Sequence, residues 1–390
     1  MLTSLIFLPS ELGLRTKNLL LPAGYDKIRT SYEGGENMDA KKVLIAMSGG
    51  VDSSVAAYLM MENGYDCVGG TMRMCDTALL GCEPSDPAQD AKKVADRLGI
   101  PFHVFDAFPE FKKWVAEPFI CSYEQGDTPN PCIQCNKHMK FGLLLEKALA
   151  LGCDKIVTGH YARIVEKDGR FLLQKAVDES KDQTYFLACL SQEQLSHICL
   201  PLGSLTKPQV REIAEAQDFI TARKKDSQDI CFIPDGDYKV FMERYGKKCY
   251  PAGDYLDMDG KVIGRHQGAV GYTLGQRKGL GIALGAPAYV CQKDMENNTV
   301  TLGTNEDLFK KVLRANDWNF SAFDDLKEPM RVMAKVRYRH TPQPATVYPE
   351  EDGYCRVEFD EPQRAITTGQ AVVLYDGDLV VGGGTITEVI

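Results

Sequence analysis

The chain has 390 residues, 44% of them apolar and 25% charged, and a formal net charge of −9 at pH 7. That length exceeds one compact core and implies two or three units of about 100 to 200 residues each. No apolar run is long enough to cross a bilayer, so no membrane role is expected, and the negative charge excludes broad nonspecific affinity for polyanions, which must instead be met by local patches. Residues 1–40 hold a short apolar piece, Leu2 to Pro9, but lack the basic start and small-residue cleavage site of a secretory signal. They read as a flexible extension or an upstream start ahead of Met38. From Lys41 onward β-like and helical runs alternate: Val43 to Met47, then Ser54 to Asn63; Cys67 to Met72, then Pro87 to Leu98; Phe102 to Phe105, a helical Lys140 to Leu151, and Lys155 to Thr158. Such alternation predicts βαβ units on a parallel sheet, with the loops after Met47, Thr71 and Thr158 sharing one pocket at the carboxyl ends of the strands. A hairpin is expected at Arg163 to Gln174, turning at Asp168-Gly169, and a helix at Pro208 to Gln217. The Gly-rich stretch from Asp235 to about Ala288 suits a small mixed domain. Beyond it, Arg331 to Arg339, Tyr354 to Phe359 and Ala371 to Leu374, punctuated by Asp352-Gly353 and Asp376-Gly377, predict an antiparallel barrel or sandwich.

The string Ser48-Gly49-Gly50-Val51-Asp52-Ser53-Ser54 joins the first strand to the first helix. Glycines there let the backbone approach an anion closely, and the helix start presents amides and a positive dipole end. A Gly-Lys-Ser/Thr ending is absent, so the lysine that cradles terminal phosphates in a Walker loop is missing locally. A bare Gly-Gly would be an ordinary turn; the whole string after a strand resembles the pyrophosphate loop of ATP pyrophosphatases, which implies ATP cleavage between its first and second phosphates and transfer of AMP.

Thirteen cysteines without dense regular spacing fit a reducing compartment, and a cytoplasmic location is expected. Cys132 and Cys135, in Asn130-Pro131-Cys132-Ile133-Gln134-Cys135-Asn136-Lys137, sit at a helix entrance. There the dipole, Lys137 and His138 are expected to favour thiolate. Half of a structural zinc site is the bland alternative, but no clean second pair exists, and Cys231 is the natural distant partner. Candidate basic patches are Arg223-Lys224-Lys225, Gln276-Arg277-Lys278 and Arg337-Tyr338-Arg339-His340, each of which taken alone is more often a solvated face.

From about Lys41 to Ile390 the chain resembles the tRNA-specific 2-thiouridylase family, by an ordered series of strings: Ser48 to Ser54, the segment from about Thr128 through Phe141, Val157-Thr158-Gly159-His160-Tyr161-Ala162, Lys181-Asp182-Gln183-Thr184-Tyr185-Phe186-Leu187, Lys224-Lys225-Asp226-Ser227, Ile230-Cys231-Phe232-Ile233, Thr273 to Leu280, and Val336-Arg337-Tyr338-Arg339. The resemblance implies an α/β fold, a Rossmann-like parallel sheet of the adenine nucleotide alpha hydrolase type at 41–230, a small central domain at 231–290 and a C-terminal antiparallel β-barrel contacting tRNA at 291–390. It implies ATP and Mg2+ as cofactors, with Ala46, Met47, Ser48, Gly49, Gly50, Val51, Asp52, Ser53, Met72 and Gly159 in the ATP pocket. The implied reaction adenylates the carbonyl oxygen at carbon 2 of the wobble uridine and displaces AMP with sulfur. Cys231 is then the persulfide carrier and Cys135 its partner, joined to it by a disulfide.

For the RNA, the resemblance implies Asn130, Pro131 and Cys132 at the target base, His160, Lys181, Asp182 and Gln183 beside it, and Arg337, Tyr338 and Gln370 holding the tRNA. Its partners would be tRNAs for Lys, Glu and Gln and a sulfur donor such as a cysteine desulfurase or relay protein. One departure stands out: many members carry Asp where this chain has Cys132. Cys132, Cys135 and Cys231 therefore also offer three soft ligands for an iron-sulfur cluster, and persulfide and cluster routes are both open at this point, with the persulfide preferred. An AMP-forming amide or guanidine synthetase would need the loop but not Cys135 and Cys231. A tRNA-binding or sulfur-relay module without catalysis would not need the loop.

Overall fold

The computed structural model describes residues 41–74, 87–222, 224, 230–233 and 236–390. The expected extension over 1–40 lies outside them. The first domain is built on a five-stranded parallel sheet in the order β3-β2-β1-β4-β7. Its strands are β1 (Lys42–Ala46), β2 (Asp66–Arg73), β3 (Phe102–Asp106), β4 (Lys155–Val157) and β7 (Ile198–Cys199). Val43, Leu44 and Ile45 are all buried, as a central parallel strand covered on both faces requires. Helix α1 (Val51–Glu62) follows β1, and α2 (Pro87–Leu98) lies between β2 and β3. The chain proceeds from β1 to β2 and β3 on one side and to β4 and β7 on the other. Strand order therefore reverses between β1 and β4, and the crevice that opens at such a reversal is where open α/β sheets hold their ligands.

The helix expected at Lys140 to Leu151 begins much earlier. An α turn over Pro131–Gln134 runs into a nine-residue π segment, Cys135–Leu143, and then into α3 (Leu144–Ala150). The hairpin β5 (Arg163–Lys167) and β6 (Arg170–Gln174) turns where expected, at Asp168 with φ 51° and Gly169 with φ 75°, the two left-handed positions of a tight hairpin turn. It does not join the parallel sheet. Gln174 of β6 pairs with Leu379 of β17 (Leu379–Val389), so the hairpin extends the sheet of the C-terminal domain. Helix α4 (Lys207–Ala216) follows, opened by a capping box on Thr206 and Gln209.

The central sheet has four strands in the order β10-β11-β8-β9, formed by β8 (Gly253–Leu256), β9 (Val262–His266), β10 (Tyr289–Asp294) and β11 (Thr299–Gly303). The boundary expected at 290/291 thus falls inside β10, because β11 pairs with β8 across a long stretch of chain. Tyr255, Tyr272, Val290, Val300 and Leu302 form the core of this unit. Helix α5 (Tyr238–Gly246), although inside the span expected for the central domain, packs Phe241 and Met242 against Phe111, Phe119 and Phe232.

The C-terminal unit is a barrel rather than a sandwich. Strands β12 (Phe309–Phe320), β13 (Met330–Lys335), β14 (Gln343–Pro349), β15 (Cys355–Arg364), β16 (Ala371–Asp376) and β17 run antiparallel in the order β12-β15-β14-β13-β16-β17, and β17 pairs back onto β12. Closure removes the open edges that a sandwich would leave. Val332, Val347, Val357, Phe359 and Leu374 fill its interior.

Candidate nucleotide and sulfur site

The loop after β1 is shaped by its own hydroxyls. Gly49 takes φ 68°, a conformation few side chains tolerate. Ser53 Oγ accepts from the Ser48 amide at 3.3 Å and donates to the Gly50 carbonyl at 3.2 Å, and Ser54 Oγ donates to the same carbonyl at 2.9 Å. Helix α1 has no side-chain cap, which leaves its first amides to serve an anion. Met47 is buried under Gly69, where a Cβ would come within 2.8 Å of its sulfur, and Ala46 and Met72 are partly buried beside the loop at the ends of β1 and β2.

A lysine does reach this loop, from far along the chain. Lys224 Nζ donates to the Gly49 carbonyl at 3.1 Å and lies 3.2 Å from an Asp90 oxygen. The basic string around it was legible, but not its destination; its neighbours Arg223 and Lys225 lie outside the described residues. Asp52 is held equally firmly. Lys207 Nζ donates to both its carboxylate oxygens at 2.7 and 2.8 Å, and the Tyr161 hydroxyl donates to one at 2.8 Å. Lys207 is 7% exposed and stands at the N-terminus of α4, where the helix dipole disfavours a cation, so the Asp52 carboxylate must compensate. Lys207 carried no sequence signal of its own, and Tyr161 only as a member of the string Val157 to Ala162.

The three thiols come together around one hydrophobic cluster. Phe232 packs edge-on to Phe111 at 5.2 Å between centroids and to Phe119 at 5.6 Å, and Cys135 and Ile230 border the same cluster. Cys231, between Ile230 and Phe232, is thereby carried to Cys132 and Cys135, and each pair of the three interacts electrostatically. Both Cys135 and Cys231 are free thiols here. The expectation that a helix entrance with Lys137 and His138 favours thiolate is overturned. Cys132 and Cys231 are exposed and Cys135 is half-buried, but desolvation by the groups packed around them raises the thiols of Cys132 and Cys231 and pushes Cys135 up to about 12. Lys137 instead faces Asp317 at 3.5 Å, and His138 stacks on Trp114 at 4.3 Å. The cation that opposes the rise at each thiol is Lys140.

The residues expected to meet RNA divide between the surface and the interior. Asn130 and Pro131 line a cavity of about 310 Å3 between the helix entrance and the barrel, with Gln134, Cys189 and Gly369. His160 is buried, with Nδ1 at 2.6 Å from Thr158 Oγ1 and Nε2 at 3.4 Å from Lys140 Nζ, and burial followed by Lys140 lowers its pKa well below the usual imidazole value. Lys181 is half-buried. Asp182 turns inward, accepting from the Ala176 amide at 3.0 Å and the Thr184 hydroxyl at 2.6 Å, while Gln183 Oε1 accepts from the Tyr161 amide at 2.9 Å. Arg337 reaches the Leu274 carbonyl at 3.0 Å and the Thr367 hydroxyl, joining central domain to barrel, and among the described residues its buried Nε has no hydrogen-bond partner. Tyr338 packs on Phe186 at 4.4 Å, and Gln370 Nε2 donates to the Thr128 carbonyl at 2.8 Å. Arg277, Lys278 and Arg339 are exposed.

Among the described residues no three or more His, Cys, Asp and Glu side chains gather into a group that could hold a metal ion. No helix among them is long and apolar enough to cross a membrane. Three family models match the chain in succession: tRNA methyl transferase HUP domain at residues 41–235, tRNA methyl transferase PRC-barrel domain at 239–304, and aminomethyltransferase beta-barrel domain at 310–386. The chain is 51% identical over 356 residues to tRNA-specific 2-thiouridylase MnmA of Clostridioides difficile (strain 630), covering 89% of this chain and 98% of that one. It is 50% identical to the protein of the same name from Acetivibrio thermocellus, covering 90% and 100%, and 49% identical to that of Clostridium acetobutylicum, covering 89% and 99%.

Proposed function

The chain belongs to the tRNA-specific 2-thiouridylase family, and from that premise we propose that this sulfurtransferase uses ATP to replace the carbonyl oxygen at carbon 2 of the tRNA wobble uridine with sulfur. A uracil oxygen is a poor leaving group, so the first step joins it to the α-phosphorus of ATP and expels pyrophosphate. The loop Ser48 to Ser54, Lys224 and the amides opening α1 supply donors and charge for the phosphates. A magnesium ion bound with the nucleotide would neutralise phosphate charge, and Asp52 is the carboxylate of the loop nearest to hold it.

Sulfur follows from a persulfide on Cys231, loaded by a donor such as a cysteine desulfurase or relay protein. The terminal sulfur loses its proton, bonds to carbon 2 and displaces AMP. The Cys135 thiolate then attacks the Cys231 sulfur, breaking its bond to the transferred atom and releasing 2-thiouridine. A Cys135–Cys231 disulfide remains, and an external dithiol must reduce it by two electrons before the next turnover. Wobble-uridine tRNAs for Lys, Glu and Gln are the proposed substrates, since a loop base leaves its stack at low cost.

The observation that carries this reading is the convergence of Cys231 on Cys132 and Cys135 through the Phe232 cluster. An AMP-forming amide or guanidine synthetase needs no such thiols, and a sulfur-relay module needs no phosphate loop. The test is nucleoside mass spectrometry of wobble-uridine tRNA incubated anaerobically with the chain, ATP, magnesium and a sulfur donor. Wild type should form 2-thiouridine, and Cys231→Ser should form none while still binding ATP. Equal loss of ATP binding in that variant would remove the assignment of Cys231.

A further inference from the structure

We propose that Tyr161, Lys207 and Asp178 are positioning residues that tie Asp52, the aspartate of the phosphate loop, to the surface turn at residues 178–183, so that a nucleotide on the loop also fixes the turn. This rests on the nucleotide reading above. Two struts leave the same carboxylate. On one side the Tyr161 hydroxyl donates to Asp52 Oδ1 at 2.8 Å, and the Tyr161 backbone pairs with Gln183 in both directions: its amide donates to Gln183 Oε1 at 2.9 Å, and its carbonyl accepts from the Gln183 amide at 2.8 Å. On the other side Lys207 Nζ donates to both Asp52 oxygens at 2.7 and 2.8 Å, while the Lys207 amide donates to Asp178 Oδ2 at 2.9 Å. The turn is therefore gripped at its first and its last residue by groups that meet on one side chain.

The ring that these bonds close is tightly packed. Tyr161 and Lys207 are 3% and 7% exposed. A Cβ at Gly203 would collide with the Ala162 carbonyl, and the Gly203 carbonyl accepts from the Val177 amide at 2.9 Å, so the chain entering the turn rests on the residue that follows Tyr161. The turn itself is braced. The Ser180 amide and hydroxyl donate to Asp178 Oδ1 at 3.1 and 2.6 Å, and Asp182 accepts from the Ala176 amide at 3.0 Å and the Thr184 hydroxyl at 2.6 Å. Glu179 and Ser180 on its outer side are exposed. A carboxylate offers about four acceptor sites, and Asp52 gives three of them to Tyr161 and Lys207. Charge arriving at the phosphate loop acts on that carboxylate, and its two charge-assisted donors carry any displacement to opposite ends of a stiff turn. Register between the nucleotide and whatever meets the turn is the consequence, and register of two reactants is what their reaction requires.

The test is amide hydrogen exchange of the full chain, read by peptide mass spectrometry, with and without α,β-methylene-ATP and magnesium; the methylene bridge of this analogue cannot be cleaved. Wild type is compared with Tyr161→Phe, Asp178→Ala and the two together, each at an analogue concentration that protects residues 49–53. In wild type the analogue should also slow exchange at residues 180–183 by about tenfold. Each single variant should retain about threefold of that slowing, and the double variant none. Protection of 49–53 without any at 180–183 in wild type overturns the proposal, as does a double variant that keeps the effect. So does a variant whose turn exchanges faster by the same factor with and without the analogue, since that is all a merely structural role predicts. If exchange in β13, remote from the ring, also quickens in Asp178→Ala, that fold has loosened and Tyr161→Phe, which removes one oxygen, decides. The assay needs neither tRNA nor a sulfur donor. Absence of protection at 49–53 in wild type would sink the nucleotide reading together with this proposal, whereas protection at both places in a chain that makes no 2-thiouridine would sink the proposed reaction and leave the struts standing.

Discussion

A Cβ at position 159 would stand 2.8 Å from the Asp52 carbonyl carbon. The loop after β4 thus presses on the opening of α1 at the point where strand order reverses. Gly159→Ala must push the phosphate loop aside, since the Asp52 Cβ and the Ser53 amide are only 2.9 Å away and are not the tips of flexible side chains. The strain of about 1–3 kcal/mol falls on nucleotide binding, so ATP-dependent pyrophosphate release should drop about tenfold or more. Alkylation of Cys135 should be unaffected. Undiminished pyrophosphate release in this variant would argue that the loop binds no phosphate.

Lys207 and Asp52 form a pair whose separation strands a charge. Lys207→Met should cost about 3 kcal/mol of stability, read as a lower urea midpoint, and should weaken ATP use. Asp52→Ala should weaken ATP use with the thiols untouched. Removing both charges in Lys207→Met/Asp52→Asn should cost less than the two single changes together, by about 1–3 kcal/mol. Strict additivity would mean that the bidentate contact does not couple the two elements.

Gln370 acts across a domain boundary. Its amide donates to the carbonyls of Thr128 and Pro129, at 2.8 and 3.3 Å, just ahead of Asn130 and Cys132. Gln370→Ala should cost about 1 kcal/mol and speed hydrogen exchange in the segment around Thr128. Thiolation should fall while tRNA-independent ATP hydrolysis is kept. If tRNA affinity alone falls and exchange is unaltered, Gln370 is a direct RNA contact rather than a strut.

The pH dependence of the sulfur step follows from burial. The thiols of Cys132, Cys135 and Cys231 are all raised, Cys135 to about 12, and the thiolate is the reactive form. The reactive fraction therefore grows as pH rises and has no plateau near neutrality. Single-turnover release of 2-thiouridine, which needs the Cys135 thiolate, should accelerate about tenfold per unit between about pH 7 and pH 9, unlike pyrophosphate release. A plateau below about pH 8 would mean that bound substrates lower the Cys135 thiol.

Sequence reasoning went furthest where the controlling contacts are local. The order of residues by itself determined the parallel sheet, the phosphate loop, the Asp168-Gly169 hairpin turn and the thiol pair at a helix entrance, because strand periodicity, left-handed turn residues and helix starts are read within a few positions. Only the tertiary structure decided that the hairpin joins the barrel, that β10 and β11 complete the central sheet, that Lys224 reaches Gly49, and that Lys207 holds Asp52. Those depend on pairings between remote segments, which no local spacing encodes. The thiols show the difference most sharply. A helix dipole and two adjacent bases favour ionisation when read in sequence, but desolvation raises all three thiols, and Lys137 and His138 are turned instead to Asp317 and Trp114. Desolvation is a property of what packs around a group, so it is not available until the chain has folded.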